Sequence, residues 1–470
     1  MITYREYQDA VDKNAFIFAC VERHIASAEY KKYVDQSNYY HGKNSLIMDL
    51  QKFYTDIMGN KVNDTFSPNY KIPSNYLYRF VVQEVQHLLG NGIAFQNEST
   101  KDKLGTKRKP FDRQTVKLAR LARTHGVSFG FFNKDHIDVF TPLEFIPLWD
   151  ERSGALIAGI QWWRLDDSHP LYVTFYETDG YTKLYDDGEG PRIEEAKRPY
   201  KISLTSTKAE GEIARQGENY AGFPIVPMYS NDEGTSDLEP IKQQIDCYDL
   251  VFSGYANDID DANFIYWTIT NAGGMNDDDL VKFLARLRSI HAATTEDQEQ
   301  VVPHQITKST SSRDSFLAMS RAQLYESAMA LDIYSIAGGA VTATQIKAAY
   351  EPLNSKVDDF EYQVTDWIYA ILDLIGVEDT PTYQRSTIVN SSEEIQLALQ
   401  AGQYLPADYI TKRILTLMGD GDIAAQIIEE KEAEDAERMT QLLAAQQEQS
   451  RLTASQEMNA NDGHGSQENG

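Results

Sequence analysis

Two stretches of this chain space their apolar residues as packed helices do, with a compact segment between them. That arrangement limits the fold more than any other feature. In residues 236–261, SDLEPIKQQIDCYDLVFSGYANDIDD, the positions Leu238, Ile241, Ile245, Tyr248, Phe252, Tyr255 and Ile259 step by three and four in turn. This is the narrow seam of a helix that packs along one line. Residues 311–331, SSRDSFLAMSRAQLYESAMAL, carry Leu317, Leu324 and Leu331 at sevenfold spacing. Between them, residues 262–310 read as a strand (NFIYWTIT), a turn (NAGGMN), a helix (DDDLVKFLARLRSI) and a second strand (EQVVPHQITK). Asp277, Asp278 and Asp279 favour that helix's start through its dipole. Two rods flanking a folded insert must run antiparallel and hold it away from the body. A helix pair alone leaves too much of its sides bare to be a stable protrusion of a monomer, so neighbouring copies are expected to cover it. A single such stripe would mean no more than a core helix.

The first rod is strongly acidic, with seven carboxylates against Lys242 as its one cation. Ser236 and Glu239 have the spacing of a capping box, and Pro240 is tolerable that close to a helix start. A third stripe, from Ile346 through Tyr350, Leu353, Val357, Phe360, Val364, Trp367 and Ile371 to Leu374, predicts a helix over 344–375. It would be roughly 45–50 Å long. Pro352 should kink it, by removing a backbone donor and clashing with the preceding turn. Residues 332–343 form a short glycine-containing loop before it.

The remaining signals divide the chain further. Residues 1–65 are polar and tyrosine-rich with short helical patterns, and SNYYHGKNS reads as a loop. A helix with Tyr76, Phe80, Val81, Val85, Leu88 and Leu89 on one side closes at Gly90 and Gly92. A basic loop and a second amphipathic helix, RQTVKLARLARTHG, follow, and strands and turns occupy 127–229. Residues 66–235 therefore form one α/β region. Beyond the long helix and its exit, residues 344–385, three helices separated by glycine fill 386–440. The polar stretch 441–470 is expected to be disordered. The fold class is α+β, predominantly helical.

Charge and chemistry narrow the function. Lys and Arg number 44 against 71 Asp and Glu, a net charge of −27, which disfavours a freely diffusing nucleic-acid binder. It leaves open a protein that surrounds DNA without gripping it. Cys20 and Cys247 offer no disulfide framework, the N-terminus is too acidic for a signal peptide, and no apolar run approaches the length of a membrane span. A soluble intracellular product is expected. GVSFG, residues 126–130, matches the G-x-S-x-G elbow of hydrolases, but the elbow needs a strand before and a helix after, and here the order is reversed. AGGAVTATQ lacks the Gly-Lys-Ser/Thr of a phosphate loop. The nine histidines are scattered, and Asp258, Asp260 and Asp261 lack the spacing of a calcium loop. TKRKP, residues 106–110, reads as an ordinary basic surface loop. No catalytic residue, cofactor site or metal site is expected.

In the order of its elements the sequence resembles the portal (head–tail connector) proteins of tailed double-stranded DNA phages, of the siphophage type from Gram-positive hosts. SNYLYRFVVQEVQHLLGNGIAF, ARLARTHGVSFGFF, VFTPLEFIPLWDERSGALIAGI, GFPIVPMYSNDEGTSDLEPIKQQIDCYDLVFSGYANDIDDANFIYW and AGGAVTATQIKAAYEPL carry the likeness, over about residues 70–430. The resemblance implies a ring of about a dozen subunits around a channel, a cyclic assembly. Residues 66–235 and the kinked helix of 344–385 would be the wing, 236–261 and 311–331 the stem, 262–310 the clip and 386–440 the crown, with 1–65 a peripheral segment. Residues 332–343 would be the tunnel loop, with Tyr334, Ser335, Ile336, Ala337, Gly338, Gly339, Ala340, Val341 and Thr342 facing DNA. Tyr334, Ile336 and Val341 would form an apolar constriction around glycines that permit switching. Lys308, Arg313 and Arg321 are candidates for transient phosphate contacts, with salt bridges to the first rod the equal alternative. A dozen copies would carry roughly 300 negative charges, repelling a phosphate backbone wherever they face the channel. The implied partners are double-stranded DNA, a terminase that carries the ATPase, a head-completion adaptor, the major capsid protein and scaffold, with no membrane. The implied location is a capsid vertex of the virion, after assembly in the host cytoplasm. The alternatives are another ring-forming virion adaptor, which should be smaller, and a soluble hydrolase using Ser128.

Overall fold

The computed structural model describes residues 2–55, 60–65, 67–97, 99–206, 213–262, 266–270, 278, 282, 300–304, 311–334, 343–386, 391–418 and 424–462. The chain divides into two units, residues 1–339 with 347–386, and residues 340–346 with 387–470.

The first unit opens with a short strand β1 (Ile2–Thr3) and helices α1 (Tyr4–Asp9), α2 (Lys13–Ala26), α3 (Ala28–Tyr40) and α4 (Ser45–Met48). Side-chain caps set the starts: Thr3 accepts from Glu6 N, Asp12 from Ala15 N, Ser27 from Tyr30 N and Asn44 from Leu46 N. SNYYHGKNS is helical as far as Tyr40 and turns only after it. A small hairpin, β2 (Phe53–Thr55) with β3 (Lys61–Asn63), ends this part. Then come α5 (Tyr76–Leu89), β4 (Ile93–Phe95), α6 (Ser99–Leu104) and α7 (Phe111–His125).

Ten strands follow: β5 (Val127–Asn133), β6 (His136–Phe140), β7 (Phe145–Trp149), β8 (Leu156–Trp163), β9 (Leu171–Glu177), β10 (Gly180–Asp186), β11 (Arg192–Arg198), β12 (Lys201–Ser206), β13 (Ile213–Glu218) and β14 (Ile225–Tyr229). They build a six-stranded sheet in the order β1-β7-β8-β9-β10-β11, a three-stranded sheet β14-β5-β6 and a hairpin β12-β13. The N-terminal residues join this sheet and its core. β1 pairs in parallel with β7, Ile2 opposite Leu148, and Tyr7, Ile17, Phe18 and Val21 share one core with Ile146, Ile160, Val173 and Phe175. Their sequence hid this because a two-residue strand has no periodicity to read.

The G-x-S-x-G segment is a helix-to-strand turn. Gly126 ends α7 in the left-handed conformation, φ 85°, and a Cβ there would lie 2.1 Å from the Gly234 carbonyl oxygen. Ser128 is fully buried on β5 and its hydroxyl donates to the Leu118 carbonyl at 2.8 Å. Gly130 leaves space for the Trp367 ring, whose Cζ2 would stand 2.6 Å from a Cβ.

Next come α8 (Lys242–Ala262), β15 (Tyr266–Thr270), β16 (Gln300–His304), α9 (Ser311–Ser327), α10 (Ala343–Ile375) and β17 (Pro381–Tyr383). β15 and β16 pair antiparallel, Tyr266 opposite His304, while the expected helix between them lies outside the described residues except for positions 278 and 282. α10 continues through Pro352 as one 33-residue helix, and β17 returns to pair with β4. In the second unit, α11 (Ser391–Ala401), α12 (Ala407–Met418) and α13 (Ala424–Asp462) follow one another. The stretch expected to be disordered from 441 is helical to Asp462. It holds no Gly or Pro before 463 and is rich in Ala, Gln, Glu and Leu, residues that lose little in a helix.

Because Gly130 faces an indole rather than a flexible side chain, Gly130→Ala is expected to cost about 1–3 kcal/mol by overpacking. Ser128→Ala, which removes one buried hydrogen bond, is expected to cost about 1 kcal/mol. Urea unfolding of both variants measures the two costs.

Candidate functional site

α8 and α9 lie side by side and antiparallel. Gln244, near the start of α8, donates to Ser327 at the end of α9 at 3.0 Å, while Arg313, near the start of α9, pairs with Asp258 near the end of α8. α8 begins at Lys242 rather than Ser236, because Pro240 interrupts the amide ladder and residues 236–241 close as turns. Half of the expected box is present: Ser236 N donates to Glu239 at 3.4 Å, but the Ser236 hydroxyl donates to the Thr124 carbonyl at 2.5 Å and accepts from Leu238 N.

Where the two rods meet the body, four charges cluster, three of them buried and Lys356 partly so. Arg123 on α7 pairs with Glu84 on α5 and with Asp237 at 3.0 Å, just before α8. Lys356 on α10 reaches Glu84 and Asp237, each at 3.0 Å, and donates to the Ala328 carbonyl at the end of α9 at 3.3 Å. Arg123 also donates to the Ser230 carbonyl and hydroxyl, and its guanidinium lies over the Phe360 ring. Two cations face two anions, so the cluster is formally neutral. Burial raises Asp237, yet Arg123 and Lys356 outweigh it and hold that carboxyl below the usual range. Burial dominates at Glu84 and pushes it up. Sequence reading missed this cluster. The available signal was Glu84 itself, which shares the apolar face of its helix with Phe80 and Leu88.

The exit from α9 is fastened in turn. Gln83 donates to the Leu331 carbonyl at 2.9 Å and accepts from Leu331 N at 3.0 Å. Arg321 pairs with Asp332 at 2.6 Å and lies over the Tyr325 and Tyr334 rings, and Arg79 donates to the Tyr325 hydroxyl. A cavity of about 410 Å³ opens here, lined among others by Tyr76, Tyr248, Phe252, Arg79, Arg321 and Tyr334. Tyr334, the first residue of the expected DNA-facing loop, is 73% exposed. The rest of that loop, Ser335, Ile336, Ala337, Gly338, Gly339, Ala340, Val341 and Thr342, lies outside the described residues, as does Lys308. Both described candidate cations hold carboxylates, Arg313 on the first rod and Arg321 beyond the second.

The acidic rod is less bare than its charge implies. Asp237 is in the cluster, and Glu239 pairs with Lys32 at 2.7 Å. Asp246 accepts from Tyr39 and from Lys242, and the fully buried Asp249 accepts from Asn44 Nδ2 and Ser74 N, both at 2.8 Å. Asp258 holds Arg313, and Asp260 accepts from the Tyr70 hydroxyl at 3.2 Å. These carboxylates bind the rod to its own chain. Among the described residues no three His, Cys, Asp or Glu side chains are grouped to hold a metal, and no helix is long and apolar enough to cross a membrane.

Residues 21–439 match the family model described as phage portal protein, SPP1 Gp6-like. The portal protein of Clostridium phage phiCD119 is 29% identical over 203 residues, 41% of this chain and 45% of that protein. The portal protein of Bacillus phage SPP1 is 26% identical over 200 residues, 39% of each chain. The chain thus spans less than half the length of the curated relatives it matches. Among solved structures, a chain from the virion of a native gene transfer agent particle has a TM-score of 0.44 at 10% identity, covering 83% of this chain and 93% of its own. A chain from the neck of the native particle, computed with C12 symmetry, has a TM-score of 0.41 at 11% identity, covering 72% and 88%.

Two predictions follow from the junction. Arg123→Met leaves Glu84 and Asp237 with Lys356 alone in a buried site, so it should cost about 3–5 kcal/mol. Hydrogen exchange should quicken first at the α8 start and the α9 end. His125, buried beside Tyr33 at the end of α7, has its pKa pushed from 6.5 to about 4, first by burial and then by His41. Between those values the unfolded chain holds the proton that the folded chain refuses, so acidification through this window should remove up to about 3 kcal/mol. His125→Phe should flatten that part of the Tm–pH curve.

Proposed function

Since this chain belongs to the phage portal protein family described as SPP1 Gp6-like, we propose that it assembles into a ring of about a dozen copies. The channel of that ring passes double-stranded DNA at one capsid vertex, inward during packaging and outward at ejection. In this reading the α/β region 66–235 and the helix of 344–385 are the wing, 236–261 and 311–331 the stem, 262–310 the clip and 386–440 the crown. The terminase docks first and a head-completion adaptor later, with the major capsid protein and scaffold around the ring. Membership in the family implies a structural role, with ATP hydrolysis left to the terminase.

One observation carries the ring. The apolar stripe of the first rod is covered at its base and bare toward its tip: Leu238, Ile241 and Ile245 are buried, whereas Phe252 and Ile259 are exposed. Leu250 on the same helix and Met319 on its partner are exposed too. A two-helix stem with uncovered apolar sides is stable when neighbouring stems close around it. The loop from Tyr334 to Thr342 is proposed as the constriction around DNA. Lys308, Arg313 and Arg321 are proposed as transient phosphate contacts, the last two by exchanging Asp258 and Asp332 for phosphate.

Light scattering and negative-stain images of the purified chain at moderate salt test the ring. Particles with a central hole, at about twelve or thirteen times 53.3 kDa, are expected. Phe252→Asp with Ile259→Asp should abolish the rings while leaving the thermal unfolding of the body unchanged. A chain that stays monomeric at high concentration with its capsid partners present would remove the reading.

A further inference from the structure

Among the described residues a strongly cationic face stands away from the rods. Between residues 107 and 120 stand Lys107, Arg108, Lys109, Arg113, Lys117 and Arg120, against Asp112 alone. Lys109 is spent on Asp138, and Asp112 on Lys101 at 2.6 Å. Among the described residues no carboxylate pairs with Arg108, Arg113, Lys117 or Arg120, and the Arg120 Nε–H is buried without an acceptor. Arg113, Lys117 and Arg120 follow one another at i, i+4 and i+7, opposite the buried face of Thr115, Leu118, Ala119 and Ala122. They border a groove of about 860 Å³ against β6 that also includes Tyr40, Gln161 and two carboxylates, Asp138, which holds Lys109, and Glu144, which accepts from Thr141 N. Like charges four apart cost a helix about 0.2–0.5 kcal/mol. In a chain of net charge −27, unpaired cations lined up on one helix call for an anionic partner.

The chain itself contains a surface of matching spacing. Glu430, Glu434 and Glu437 on α13 also stand at i, i+4 and i+7, with Glu429, Glu432 and Asp435 beside them, and all are exposed. Gln426 donates to Glu430 at 3.3 Å, and among the described residues no cation pairs with any of the six. On both helices the rungs fall about 6 and 4.5 Å apart along the axis, so three charge pairs form in one parallel register. Residues 429–438 of α13 are exposed throughout and mostly charged, and bridging to another body is one way such a helix is held. We infer that the cationic stripe of α7 receives the acidic segment 429–437 of a second copy, a contact that repeats from subunit to subunit. The inference rests on the ring reading and adds a charge-matched contact remote from the apolar stem tips.

The test uses the full chain in three forms: R113E/K117E/R120E, E430K/E434K/E437K, and both sets together. Sedimentation velocity at about 50 mM salt, where surface charges act over longer range, should show wild-type assembly. Each single set should raise the concentration for half-assembly about tenfold or more. An equimolar mixture of the two single sets should assemble like wild type, because each reversed surface then meets its complement on another copy. That rescue also shows that both components are folded. Unchanged assembly of either single set overturns the contact. Rescue in the doubly reversed chain without rescue in the mixture overturns it in favour of a contact within one copy. Loss of DNA retention with assembly intact assigns the stripe to phosphate instead. If the wild-type chain shows no self-association at any concentration, the ring reading falls and takes the contact with it. If wild type and variants assemble alike, only the contact falls.

Discussion

The architecture depends on the buried arrangement of Arg123, Glu84, Lys356 and Asp237. Removing four charges from water is expensive, and a pair with imperfect geometry does not recover the cost. Here each carboxylate meets both cations, Arg123 and Lys356 also donate to the Ser230 and Ala328 carbonyls, and the Arg123 Nε–H is left buried without an acceptor. Hydrophobic packing would hold α5, α7 and α10 together at many angles. This cluster is satisfied only when Asp237 and Ala328, the roots of the two rods, occupy one place between them. Its contribution is one of geometry: it sets where the rods leave the body.

From that root the first rod changes character along its length. Its lower half is clasped on the polar side, with Asp246 and Asp249 held by Tyr39, Asn44 and Ser74 and Ser253 accepting from Ile72 N. Leu238, Ile241 and Ile245 seal the other side. Farther out, Asn257 and Asp260 still tie it to the body through Tyr70, while Phe252 is partly and Ile259 half exposed. Acidic character and an incomplete apolar seam thus have separate causes. The carboxylates face inward to the chain's own donors, and the seam is left for something else to cover.

Much of this was legible in the sequence, for reasons that can be named. The rods, α10 and the strand at each end of the insert declared themselves through periodicity, which reports burial on one face. Gly126 and Gly130 looked like part of a hydrolase motif until element order was considered, and the structure explains each by a left-handed turn and a neighbouring indole. Other features were illegible because they depend on distant partners. Ile2 opposite Leu148 is a pairing between residues far apart in the chain, and a two-residue strand carries no pattern. Ser236 caps no helix because its hydroxyl donates to the Thr124 carbonyl, a contact 112 residues away, and α8 starts only beyond Pro240. The helix past residue 441 was missed because low hydropathy predicts an absence of burial, whereas helix formation there follows backbone propensity.

The charge distribution follows a related logic. At −27 per copy, a ring of identical chains repels itself as well as DNA. If every cation were spent within its own subunit, all remaining surface would be anionic and closure would rest on apolar contact alone. Arg313, Arg321, Lys356 and Arg123 are spent in this way, on the two rods and their root. Among the described residues Arg113, Lys117 and Arg120 pair with no carboxylate, and they lie on the helix that supplies Arg123 to the ion cluster. One element therefore carries a formally neutral ion cluster on its inner face and, among the described residues, cations without paired carboxylates on its outer face. Whatever partner meets the outer face meets the same helix that supplies Arg123 to the root of both rods.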